Sequence, residues 1–190
     1  MKKNTLDKFM VTRLEIQNKN NKIVKLPDGT DVVIPRLSYK HFVKIKSLAD
    51  PMDTLRYLIN EIKPRELSAA ETEFILIHLH YHNDKAGQEV LSAMKMDIDQ
   101  LQITPAKYEY TFDNIQLYFN QPSMMNDYIP FLLNKAIVDG KEIELTEETR
   151  TQLINSLYRY EYEQVKSGVL QEVFIIHEGK TIKGLNIIGE

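Results

Sequence analysis

The segment His78-Leu79-His80-Tyr81-His82 holds three imidazoles within five residues, the densest set of potential ligands in the chain. On a helix, His78 and His82 stand at i and i+4 on one face, the spacing with which helices present two nitrogens to zinc. A hydrolytic zinc site also needs a third ligand and a general base. No Glu follows His78, and Asp84, His41 or His177 could complete a set only if the fold brought one of them close. The simpler reading is three histidines at a half-exposed helix end, where imidazole N–H groups hydrogen-bond the last carbonyls. A metal-dependent enzyme built on His78 and His82 is kept as a minor alternative.

Other chemistries find less support. The chain has no cysteine, which excludes disulfides, thiol nucleophiles and Cys-ligated zinc. No Gly-x-Ser-x-Gly elbow occurs, and the 7 glycines form neither a Walker loop nor a dinucleotide fingerprint. Glu142, Glu144, Glu147 and Glu148 read as a solvated acidic surface rather than a catalytic pair. The expectation is therefore no catalytic residue and no cofactor.

Composition narrows the partners. A formal net charge of -3 leaves no surplus of Lys and Arg to displace counterions, so nucleic acid is not expected. The longest apolar concentration, Phe74–Tyr81, is broken by histidines and falls far short of the roughly 20 residues that a membrane span requires. The basic start at Met1–Thr5 is followed by no apolar stretch, so it does not read as a signal peptide. A 43% hydrophobic and 27% charged composition is that of a globular, soluble, cytoplasmic protein.

What remains is surface recognition. Tyr158, Tyr160 and Tyr162 alternate with charged residues on a predicted helix, whose geometry spreads them around the cylinder. At least one ring should then meet solvent or a partner, and tyrosine suits interfaces. Packing of Ile154, Leu157 and Tyr158 as a core stripe is the bland alternative; Glu161 interrupts that stripe. Met124-Met125, in a loop, is a second soft candidate, either a binding edge or a plug between segments.

The elements that position these residues make an α+β fold. Met10–Ile16 alternates like a strand. Pro27-Asp28-Gly29-Thr30 joins two strands, Lys22–Leu26 and Asp31–Ile34, into a β-hairpin. Helices follow, the first capped by Ser38 and carrying Phe42, Ile45, Leu48 and Ala49 on one face. The next starts at Asp50-Pro51 and stops at Lys63-Pro64, and another opens at the capping box Ser68–Glu71 and ends at Asn83-Asp84. A short helix is expected over 85–96 and a connection over 97–105. Tyr108–Phe112 and Ile115–Phe119 alternate as strands, Asp127–Val138 reads as a helix and Lys141–Leu145 as a short strand. A helix from Thr146 to about Lys166 stops at Gly168, and a second hairpin turns at Glu178-Gly179 between Val173–Ile176 and Thr181–Ile188. The expected division is a β-hairpin plus helical unit over 1–104 and a mixed α/β unit with a C-terminal hairpin over 105–190, or a single α+β domain.

The order of features from Leu26 to Asp84 resembles the baseplate hub assembly proteins of T-even-like contractile-tailed bacteriophages. It has a Leu-Pro-x-Gly hairpin, a strand ending in Pro35-Arg36, and a helix near Tyr39 carrying Leu48. A second helix with Leu55, Ile59 and Ile62 follows, then Leu67 and the apolar run Glu73–Leu79. The chain departs from that family in three ways. Pro35-Arg36 reverses an Arg-Pro order, His80 stands near where an Arg is usual, and a cysteine-rich zinc segment is absent. The resemblance implies non-enzymatic work in building a tail hub or baseplate. Contacts would be with other phage tail or baseplate proteins, in the host cytoplasm and possibly the virion tail. A tail-tube or tape-measure assembly chaperone is the competing expectation.

Overall fold

A computed structural model describes residues 21–124 and 126–188. The strand expected at Met10–Ile16 lies outside the described residues, as does Met125. The fold is mixed α+β, with a strand hairpin near the start and another near the end. It divides into two compact units. One runs up to Arg65 and takes in Ile75–Asp99; the other comprises Glu66–Phe74 and the residues from Gln100 onward.

The first unit begins with β1 (Lys22–Lys25) and β2 (Asp31–Ile34), antiparallel with Ile23 opposite Val33 and Val24 opposite Val32. The period of two sends Val24, Val32 and Ile34 inward and leaves Ile23 and Val33 exposed. The turn closes because Asp28 accepts from Thr30 N (2.9 Å) while Gly29 takes φ +87°. Arg65 Nη2 reaches the other Asp28 oxygen at 2.6 Å. Together these donors hold the Asp28 carboxyl down at about 2.

Helix α1 (Tyr39–Lys46) starts at Ser38, whose N–H donates to His41 Nδ1 at 2.9 Å. α1 contains no buried residue, and Phe42, expected on a core face, is half exposed. Helix α2 (Pro51–Ile62) is capped by Asp50, which accepts from Met52 N at 2.8 Å. Helix α3 (Ala69–Asn83) opens on the expected box: Ser68 N donates to Glu71 Oε2 (2.8 Å) and Glu71 N to Ser68 Oγ (3.0 Å). α3 is apolar nearly all round, and is accordingly buried nearly all round. At its far end the Asn83 side chain accepts from Leu37 N and donates to Pro35 O, tying the segment before α1 to α3. Helix α4 (Lys85–Met94) is capped by Asp84.

In the second unit β4 (Glu109–Phe112), β5 (Ile115–Phe119), β6 (Leu133–Val138) and β7 (Lys141–Glu142) form an antiparallel sheet in that order. A core of Tyr110, Leu117, Phe119, Leu133, Ala136, Ile154, Val165 and Val169 lies between this sheet and the helices α5 (Ile129–Leu132), α6 (Glu147–Ser156) and α7 (Arg159–Leu170). Each fully buried aliphatic side chain there contributes about 1.5–3 kcal/mol. A three-stranded sheet orders β3 (Gln102–Ile103), β8 (Val173–His177) and β9 (Lys180–Lys183).

Several expectations change. Asp127–Val138 is helical only over Ile129–Leu132; Leu133–Val138 is strand β6. Leu133 and Ala136 are both buried three residues apart, which mimics a helical face. The cause is a bulge: Phe119 pairs with Leu133 and Tyr118 with Lys135, so Asn134 is the extra residue. Asp139 (φ 52°) and Gly140 (φ +75°) form a hairpin turn with both central residues left-handed, not a helix cap. The helix expected from Thr146 to Lys166 is two helices, because Leu157 is extended (ψ 142°) and Tyr158 N bonds Glu161 Oε2 at 2.8 Å. The strand expected through Ile188 ends at Lys183, where Gly184 (φ +58°) begins a 3-10 turn. Within the segment read as a connection, Gln102–Ile103 pairs with β8.

Candidate interaction surfaces

The histidine segment lies on α3, but not at a half-exposed end throughout. His78 is only 2% exposed. Burial pushes its imidazole down to about 4; the Lys22 cation acts the same way and Asp99 opposes it. Lys22 Nζ and Asp99 Oδ1 are themselves paired at 2.5 Å. His82 is half-buried, and His80 Nε2 lies 3.6 Å from Asp84 Oδ2. His41 is engaged in the α1 cap and His177 lies on β8. Among the described residues no group of three His, Cys, Asp or Glu side chains is placed to hold a metal ion. The neutral, buried His78 reads as part of the packing of α3.

The tyrosines separate by position. Tyr158 precedes α7 and Tyr160 lies in its first turn, 66% and 62% exposed. Their rings stack, with centroids 6.0 Å apart and planes inclined by 8°. Glu161 between and beneath them is buried and accepts from Tyr158 N and from the Tyr160 hydroxyl (3.2 Å). The Tyr160 hydroxyl is held above its ordinary value, first by that hydrogen bond, with negative charge on Glu161 and Asp113 adding to it. Tyr162 points the other way and packs against the core. Met124 is half-buried beside the Ser123–Asn126 bridge.

Two further surfaces escape a reading based on tyrosine spacing alone. On α1, Tyr39 (83% exposed), Phe42 and Val43 make an apolar stripe among Lys40, Lys44 and Lys46. On α5, Tyr128 and Phe131 are exposed and pack edge to face at 5.1 Å. The first was visible in the sequence as a run from Val32 to Ala49 that contains no acidic residue. The second was hidden because the segment read as a longer helix. A depression of about 600 Å³ is lined by Thr104, Lys107, Tyr110, Gln164, Gly168 and Glu172, with Lys107 Nζ 4.7 Å from the Tyr110 ring. No helix among the described residues is long and apolar enough to cross a membrane.

These features define an α+β protein whose accessible chemistry is carried by exposed aromatic rings and by charge on its surface. Its family follows from comparison: a family model described as "Baseplate hub distal subunit" matches residues 34–155, and the chain belongs to that family. The match begins at the end of β2 and ends within α6, so it reaches well beyond the Leu26–Asp84 pattern; Tyr158 and Tyr160 lie past its end. The chain is also similar to the baseplate hub assembly protein gp28 of Enterobacteria phage T4. The two are 27% identical over 133 residues, covering 66% of this chain and 74% of that protein. No solved structure matches.

Proposed function

We propose that this chain is a non-enzymatic subunit of a phage baseplate hub, joining other tail proteins through protein contacts. The observation that carries this reading is the family match over 34–155. The surface chemistry agrees with it: exposed ring pairs at Tyr158/Tyr160 and Tyr128/Phe131 offer large contact area at small entropic cost. The chain would meet its partners in the host cytoplasm and remain at the tail. The name of the phage T4 relative supports an assembly role, and the family description supports a resident subunit.

Affinity capture of the tagged chain from infected cells tests the reading. Baseplate or other tail proteins should be recovered in fixed ratio; recovery of none of them rejects it. Mass spectrometry of purified particles then separates a subunit from a transient chaperone, since only a subunit stays in the mature tail.

A further inference from the structure

Helix α1 is an element without a buried side chain. Its eight residues carry Tyr39, Phe42 and Val43, all exposed. At 100° per residue these three fall within about 100° of one another, with Lys46 among them and Lys40 and Lys44 along one flank. From Val32 to Ala49 there is no Asp or Glu to neutralise Arg36 or these lysines. Among the described residues no ion pair engages Lys40, Lys44 or Lys46. An aromatic stripe rimmed by cations is the anatomy of half an interface whose other half is aromatic and acidic.

The same chain carries that other half. Residues Glu66–Phe74 and 100–188 hold 15 Asp and Glu against 8 Lys and Arg. The acidic side chains concentrate before and in the first turn of α6, where Glu144, Glu147 and Glu148 are exposed and unpaired with any cation among the described residues. Helix α5 packs on α6 and exposes Tyr128 and Phe131. The receptor face thus offers rings and carboxylates, as α1 offers rings and ammonium groups.

We propose that the chain self-associates head to tail, with α1 of one copy docking on the α5–α6 face of the next. A contact between two different faces is heterologous, so it leads to a ring where the rotation closes and to a chain of copies where it does not. Surface ion pairs contribute little individually. The buried rings hold the contact, while charge selects the orientation and makes the association sensitive to salt. Self-association of this kind needs no hub partner and is independent of the proposed function.

Sedimentation velocity on the purified full chain tests it. Over a concentration series in low NaCl the sedimentation coefficient should rise, and near 1 M NaCl it should return to the monomer value as the Debye length shrinks to about 3 Å. Lys40→Glu/Lys44→Glu and Glu144→Lys/Glu148→Lys, each alone, should remain monomeric while keeping the wild-type circular dichroism. Mixed in equal amounts they should associate again, because each reversed face then meets its reversed counterpart. A wild-type chain that stays monomeric in low salt overturns the proposal. So does a mixture of two folded variants that does not associate, or association that ignores both pairs of substitutions. Binding of α1 to anionic phospholipid vesicles by a chain that is otherwise monomeric would also overturn it, in favour of a lipid surface.

Discussion

The Tyr110 hydroxyl lies directly against Gly168, so closely that a Cβ at position 168 would overlap it. The ring is buried in the core of the second unit, and its hydroxyl sits over the carbonyls of Lys107 (3.0 Å) and Gln164 (3.2 Å). Gly168→Ala gains about 1 kcal/mol of helix propensity at an exposed site. Here the ring cannot retreat, so the substitution should instead destabilise the chain by about 1–3 kcal/mol, read as a lower denaturation midpoint. Tyr110→Phe alone should cost about 1 kcal/mol. In the double variant the two losses should fall short of their sum; simple additivity would show that the hydroxyl is not what Gly168 accommodates.

That contact also shows where sequence reasoning loses its grip. Local signals were legible when the residue acts on its own neighbours. The Asp50 cap, the Ser68–Glu71 box and the Pro27–Thr30 turn all lie where their spacing places them. Gly168 reads locally as a helix stop, yet α7 continues to Leu170, because the glycine answers a ring 58 positions earlier in the chain. Leu133 and Ala136 mislead for a related reason: a bulge set by pairing with β5 gives them a helical spacing. The Tyr158/Tyr160 pair was legible as residues but not as geometry, since the helix break that lets the rings stack depends on Glu161.

Glu161 gives the second prediction. Its buried carboxylate satisfies the Tyr158 N–H, an otherwise orphaned donor at the start of α7. Glu161→Ala should cost about 1–2 kcal/mol, as for loss of a helix cap. Glu161→Gln, which keeps an acceptor oxygen, should recover most of it. Equal losses in chemical denaturation for both variants would place the role of Glu161 in its charge instead.

The third concerns pH. His78 is held near 4 in the folded chain, below its ordinary 6.5, so the unfolded chain binds the extra proton first. The stability linked to His78 is fully present above about pH 6.5 and is lost as pH falls toward 4, by up to about 3 kcal/mol. Asp28 is also depressed, so its contribution is lost only at lower pH, below the ordinary carboxylate range and toward 2. Glu73 acts in the opposite sense. Burial raises it, with a Leu185 backbone hydrogen bond opposing, so its protonation favours the fold as pH falls. Denaturant midpoints between pH 7 and pH 4 should therefore fall for the wild-type chain and flatten for His78→Gln. An unchanged pH slope in that variant would assign the titration to another group.

The last concerns the exposed ring pair. Tyr158→Ala/Tyr160→Ala removes two side chains that are mostly in solvent and leaves intact the backbone bond from residue 158 to Glu161. Folding stability should therefore change by less than about 0.5 kcal/mol. Tyr162→Ala, in contrast, withdraws a ring packed on the core and should lower the midpoint clearly. If the stacked pair is an anchor for a hub partner, the double variant should lose on the order of 2 kcal/mol of binding, about 30-fold in Kd. Calorimetric titration against the tail protein recovered by affinity capture measures that loss. The adjoining carboxylates of Asp113 and Glu161 add a directional expectation, since they favour a cationic side chain over the rings. Asp113→Lys should then weaken the same complex more than Asp113→Asn. A double tyrosine variant that folds normally and binds as tightly as wild type would remove the pair from the interface, leaving α1 and α5 to carry the contacts.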